Sequence, residues 1–100
     1  MNKNLLSEYY NEYLKNILPD SLFDNLNECK DILEKTSNAK GKVIFGGNGA
    51  SAAIASHAAL DFTKQAKIKS VTYHDSALIT AYSNDFGYER WVEKTIEFYS

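Results

Sequence analysis

Between Lys42 and Ala53 the sequence runs Lys-Val-Ile-Phe-Gly-Gly-Asn-Gly-Ala-Ser-Ala-Ala, and no other stretch restricts the fold as strongly. Val43, Ile44 and Phe45 make a short apolar, β-prone run that predicts a buried strand. Gly46, Gly47 and Gly49 permit backbone angles and close ligand approach that a Cβ would forbid, and Ser51 stands where a helix is expected to begin. Strand, glycine turn and helix start in succession bring exposed N–H groups and the positive end of a helix dipole to one point, which suits a phosphate, sulfate or carboxylate. Gly47-x-Gly49-x-x-Ala52 also meets the loose dinucleotide pattern G-x-G-x-x-G/A. The Gly-Lys-Ser/Thr end of a P-loop is missing, and many βα turns carry two glycines for steric reasons alone. The turn by itself leaves its ligand open.

The flanking residues supply a frame. Leu6, Tyr9, Tyr10, Tyr13, Leu14 and Ile17 recur at three- and four-residue steps, which predicts a helix from Leu5 to Leu18, with Pro19 ending it or marking the turn after it. Ser21, with Asp24 three positions on, is placed to cap a second helix whose buried stripe is Leu22, Leu26, Cys29 and Leu33. Ser37 to Gly41 reads as a loop. After the glycine turn an alanine-rich helix is expected from Ser51 to about Lys64, packed closely on a sheet, followed by a strand from Ile68 to Tyr73. This β-α-β unit predicts two parallel strands with a right-handed crossover. Asp75-Ser76 then opens a helix through Leu78, Ile79 and Tyr82, broken near Asn84-Asp85-Phe86-Gly87, and a last helix carrying Trp91, Val92, Ile96 and Phe98 begins near Tyr88. The expected division is a helical hairpin over 1–40, used in oligomerisation, and the first half of an α/β domain over 41–100.

Composition narrows the classes. One hundred residues make one domain at most. A net charge of −2 offers no basic stripe for nucleic acid. No apolar run nears the roughly 18 residues of a membrane span, and the polar, tyrosine-rich start lacks a signal-peptide core, so a cytoplasmic location is expected. Cys29 is alone and is expected to be a buried thiol on a helical face. Two parallel strands cannot cover both sheet faces or satisfy both edges. The expectation is an incomplete, N-terminal part of a domain whose remainder comes from further sequence or a partner chain.

Few residues carry chemistry. His57 and Asp61 lie four apart on the helix after the turn, so both side chains share a face. They read as a surface hydrogen-bonded pair, as two metal ligands, or as a base with its partner; zinc needs three or four ligands. Asp75 and Ser76 suit a helix N-cap better than a ligand site, and Asn84-Asp85 suits a turn or a ligand hydroxyl equally. His74 reads as a polar residue at a strand end. The tyrosines at 9, 10 and 13 read as helix-packing residues, a subunit contact being the other reading.

Three segments, taken in order, carry a resemblance: Phe45 to Ala53, Ser56-His57-Ala58-Ala59-Leu60-Asp61, and Leu78 to Glu89 with Asn84-Asp85-Phe86-Gly87 at its centre. From about Lys42 onward the chain resembles the sugar isomerase (SIS) domain, and within it the phosphoheptose isomerase group. The resemblance implies a doubly wound parallel α/β sheet, a flavodoxin-like three-layer sandwich with two N-terminal helices, of which only the first βαβ part is present. It implies a homotetramer with a helical core, acting on a phosphorylated sugar such as sedoheptulose 7-phosphate through an enediol(ate), in lipopolysaccharide, capsule or S-layer heptose synthesis. It places Asn48, Gly49 and Ser51 against the substrate and its phosphate, Asp85 in the substrate pocket, His57 as a zinc ligand, and Asp61 as zinc ligand and catalytic base. The family carries glutamate where Asp61 stands, and one methylene less moves the carboxylate by roughly 1.5 Å. The family's second phosphate loop, its remaining metal ligands and its acid/base histidine are expected beyond Ser100, so the 100 residues alone are expected to be inactive. Two other readings stay open: a non-catalytic, phosphosugar-binding or regulatory SIS domain, which Asp61 favours, and a dinucleotide module using Asp75, which the two leading helices disfavour.

Overall fold

Residues 3–100 are described by the structure, a computed structural model. The chain divides into two compact units, Met1–Ile32 and Leu33–Ser100. In the first, α1 (Lys3–Ile17) and α2 (Ser21–Asn38, which runs on into the second unit) form where the three- and four-residue apolar spacing predicts them. The turn between them is held by backbone: the N–H groups of Leu22 and Phe23 donate to the carbonyls of Pro19 and Asp20 at 2.9 and 3.3 Å.

The expected buried stripe of α2 is not buried. Neither helix has a buried residue: Cys29 is exposed, Leu26 is exposed, and Leu22 and Leu33 are half-buried. Two amphipathic helices offer each other too little apolar surface to exclude water from a full stripe. Helix α2 also runs further than expected, to Asn38. Its end is closed by Gly41 N–H to Thr36 O and Lys40 N–H to Ser37 O, both 2.9 Å, the paired bonds of a Schellman motif. The left-handed position of that motif is Lys40, at φ 56°, where glycine would be the usual signal.

The second unit is α/β. Strands β1 (Val43–Phe45) and β2 (Ser70–Thr72) pair in parallel, with Val43 opposite Ser70 and Phe45 opposite Thr72. β2 is shorter than the predicted Ile68–Tyr73 because Ile68 N–H bonds to Phe62 O at 3.0 Å, closing the end of α3 (Ala50–Lys64) after Lys67 turns at φ 59°. Both strands are half-buried rather than buried, as expected where each is an edge.

Side-chain alternation along β1 sends its residues to two faces. Phe45 meets Phe62 of α3 edge-on at 5.1 Å between ring centres, and the buried Ala55 and Ala59, one turn apart on α3, let that helix approach closely. Ile44 lines a small cavity with Trp91 and Thr95 of α5 (Trp91–Tyr99), whose Trp91 is 4% exposed. Between α4 (Ser76–Phe86) and α5 the rings of Tyr82, Phe86 and Phe98 lie 5.8–6.2 Å apart, and burial, then Tyr99, pushes the Tyr82 hydroxyl up. The last helix starts at Trp91 rather than Tyr88, since Gly87 at φ 94° leads into a 3₁₀ turn over Tyr88–Arg90. No helix among the described residues is long and apolar enough to cross a membrane.

Candidate functional site

The glycine turn has two distinct steric requirements. Gly49 caps α3 at φ 55°, ψ −125°, a combination in which an L side chain is strained although nothing would obstruct its Cβ. A Cβ on Gly47 would lie 2.7 Å from the carbonyl carbon and oxygen of Ser51, so this glycine is needed for close approach between turn and helix. Ser51 N–H donates to Asn48 O at 3.0 Å, and Ala52 and Ala53 N–H groups donate to Gly49 O at 3.1 and 3.3 Å. No side chain caps α3. The N–H groups of Asn48, Gly49 and Ala50 make no hydrogen bond among the described residues, and Asn48, Gly49 and Ser51 are all exposed. Unpaired N–H groups at the positive end of a helix dipole suit an anion.

His57 and Asp61 project from α3 into one open hollow of about 590 Å³, shared with Ala53, Ile54, Ala58 and Phe62. His57 Nε2 lies 3.3 Å from Asp61 Oδ2, and the side chains are 76% and 46% exposed. The second oxygen, Oδ1, accepts from Gln65 Nε2 at 3.1 Å. Two donors bound to tetrahedral zinc at about 2.0–2.2 Å stand about 3.3–3.4 Å apart, so nitrogen and oxygen already have the separation that two zinc ligands require. In donor type and spacing the pair fits zinc. In number it does not complete a site, because no group of three or more His, Cys, Asp or Glu converges among the described residues.

Asp75 is the N-cap of α4: its Oδ1 accepts from Ala77 N–H at 3.0 Å and Leu78 N–H at 3.2 Å. Asp85, in the last turn of α4, is exposed and accepts from Asn84 Nδ2 at 3.3 Å. The hollow that holds His57 and Asp61 is built from α3 alone and includes neither the turn residues nor Asp85.

The chain is 32% identical over 94 residues to the phosphoheptose isomerase of Helicobacter pylori strain P12, an overlap of 88% of this chain and 48% of that protein. It is 32% identical over 78 residues to the phosphoheptose isomerase of Thermodesulfovibrio yellowstonii, covering 72% of this chain and 39% of that one. The chain is similar to phosphoheptose isomerases. It spans about half the length, or less, of these curated relatives. No family model and no solved structure matches it.

Two participants escape a reading of the sequence. Gln65 follows Asp61 by one helical turn, a spacing that signals contact only once Asp61 is singled out. His74 looks like a polar strand end, yet its Nε2 accepts the Gly47 N–H at 3.1 Å and its Nδ1 lies 3.2 Å from Ser56 Oγ. The contact with Gly47 joins residues 27 apart, and no local pattern announces it.

Proposed function

We propose that the whole protein is a phosphosugar isomerase of the sedoheptulose 7-phosphate type, interconverting ketose and aldose, to which this chain contributes the phosphate turn and two metal ligands. The observation that carries the reading is the His57–Asp61 pair at zinc-ligand separation, about two helical turns along α3 from an unpaired N–H cluster, in a chain similar to phosphoheptose isomerases.

In this reading the N–H groups of Asn48, Gly49 and Ala50 and the Ser51 hydroxyl hold the sugar phosphate, and Asp85 accepts from sugar hydroxyls. Asp61 is the base: its carboxylate takes the proton from the carbon beside the carbonyl, leaving an enediolate, and returns it to the neighbouring carbon. The hydroxyl proton moves the opposite way, through an acid outside the residues named here. Gln65 holds the Asp61 carboxylate in place through Oδ1. Zinc would be held by His57 and Asp61 with ligands from outside this chain's described residues; when bound it polarises the sugar oxygens as a Lewis acid. The assembly is a cytoplasmic homotetramer.

The test is sedoheptulose 7-phosphate supplied to the whole protein in heavy water. Appearance of an aldose phosphate with deuterium at the exchanged carbon supports the reading. Binding of the sugar phosphate without exchange selects the second reading, a non-catalytic phosphosugar-binding or regulatory domain, which the shorter Asp61 side chain favours.

A further inference from the structure

We propose that His74 is a positioning residue that sets which N–H groups of the glycine turn face the phosphate. This inference rests on the functional reading above. Because Gly47 donates its N–H to Nε2 at 3.1 Å, that nitrogen must be bare, and a neutral ring then carries its proton on Nδ1, 3.2 Å from Ser56 Oγ, to which it donates. One imidazole therefore ties the turn before α3 to the second turn of α3 itself, from a position just past β2.

That tie has two consequences. Gly47 N–H is withdrawn from ligand binding, so the donors offered to an anion are those of Asn48, Gly49 and Ala50. Ser56 is fixed on the side of α3 that meets β2, so the same ring links the phosphate turn to the body of that helix. The ring itself is held by packing: its centre lies 6.3 Å from that of Trp91, edge to face, in the small cavity between β1 and α5. A side chain with no acceptor at Nε2 leaves a part-buried N–H unpaired and the turn untethered.

The experiment is nitrogen-15 NMR of the whole protein, with sedoheptulose 7-phosphate as titrant and variants H74F and H74Q. In the wild type the His74 ring is expected to be protonated at Nδ1 and bare at Nε2, opposite to the tautomer that free histidine prefers. The amides of Asn48, Gly49 and Ala50 are expected to shift on titration while Gly47 stays. H74F, which keeps a ring against Trp91, is expected to bind the sugar phosphate about tenfold more weakly; H74Q, which restores an acceptor near Nε2, is expected to recover most of that loss. A ring protonated at Nε2, or a Gly47 amide that shifts with the others, overturns the assignment even if both variants fail to fold. So does wild-type affinity in H74F. A wild type with the expected tautomer that binds no sugar phosphate overturns the functional reading instead, and leaves His74 a purely structural tie.

Discussion

His57 Nε2 and Asp61 Oδ2 stand 3.3 Å apart on a face of α3 that water reaches freely. A hydrogen bond at that distance on an exposed surface contributes little stability, so the pair is not there to hold the helix. Removing it should separate function from folding. H57A is expected to leave the thermal transition of the whole protein within a few degrees of wild type and to drop bound zinc to background, read by elemental analysis after dialysis. D61E, which restores the side chain expected at this position, should keep zinc and raise isomerisation. Full zinc content in H57A would remove the pair from the site.

The three glycines of the turn predict an ordered series. Gly46 has open space where a Cβ would stand and no positive φ, so G46A should change stability by no more than about 0.5 kcal/mol. Gly49 also has open space but sits at φ 55°, and G49A should cost about 1–3 kcal/mol as backbone strain. A Cβ on Gly47 would meet the Ser51 carbonyl at 2.7 Å, which is backbone and cannot rotate away, so G47A should cost at least as much as G49A and also displace the helix start. Urea unfolding of the three variants gives the order directly.

The glycine turn, the β-α-β unit and the helical pair are legible in the sequence because each rests on local chemistry: apolar period, missing Cβ atoms, a capping aspartate at Asp75. Burial does not follow from local chemistry. Cys29 and Leu26 lie on the apolar side of an amphipathic period, yet whether anything covers that side is a tertiary fact, and here they are exposed. The same division holds at the site. His57 and Asp61 announce themselves by four-residue spacing, whereas His74 reaches Gly47 across 27 residues and Lys40 ends α2 in a conformation that glycine would have signalled.

Acid should remove one surface contribution. Arg90 holds Glu93 in a two-pronged pair, Nε to Oε2 at 3.1 Å and Nη2 to Oε1 at 2.7 Å. The hydrogen bonds from Arg90 hold the Glu93 carboxyl below its usual range, and Glu93 in turn holds the Arg90 guanidinium up. Because the folded carboxyl binds its proton less readily than the unfolded one, stability from this pair is complete above the ordinary carboxylate pKa of about 4.3 and is lost as pH falls through the lower folded value. E93Q should lower the melting temperature by a few degrees at most near neutral pH. At about pH 2 its melting temperature should equal that of wild type; a deficit that persists there would mean Glu93 acts through packing.

Helix α1 carries an exposed apolar stripe: Leu6, Tyr9, Tyr10, Tyr13, Leu14 and Ile17 share one face by their spacing, and all are exposed. Single exposed apolar residues are ordinary, but six in one stripe are not. In the proposed tetramer this stripe packs against other copies of the chain. Full burial of one Tyr or Ile side chain contributes about 1.5–3 kcal/mol, and a two-fold interface contains every residue twice. Replacing Tyr13 or Ile17 with Lys should therefore raise the dissociation constant of that interface by about a hundredfold or more, seen as a fall in mass by light scattering across a dilution series. Leu5 and Leu18 flank the stripe and are exposed as well, so a Leu5→Lys control should cost less if the interface is centred on the tyrosines. A mass unchanged in Y13K and I17K at every concentration would place the assembly surface elsewhere.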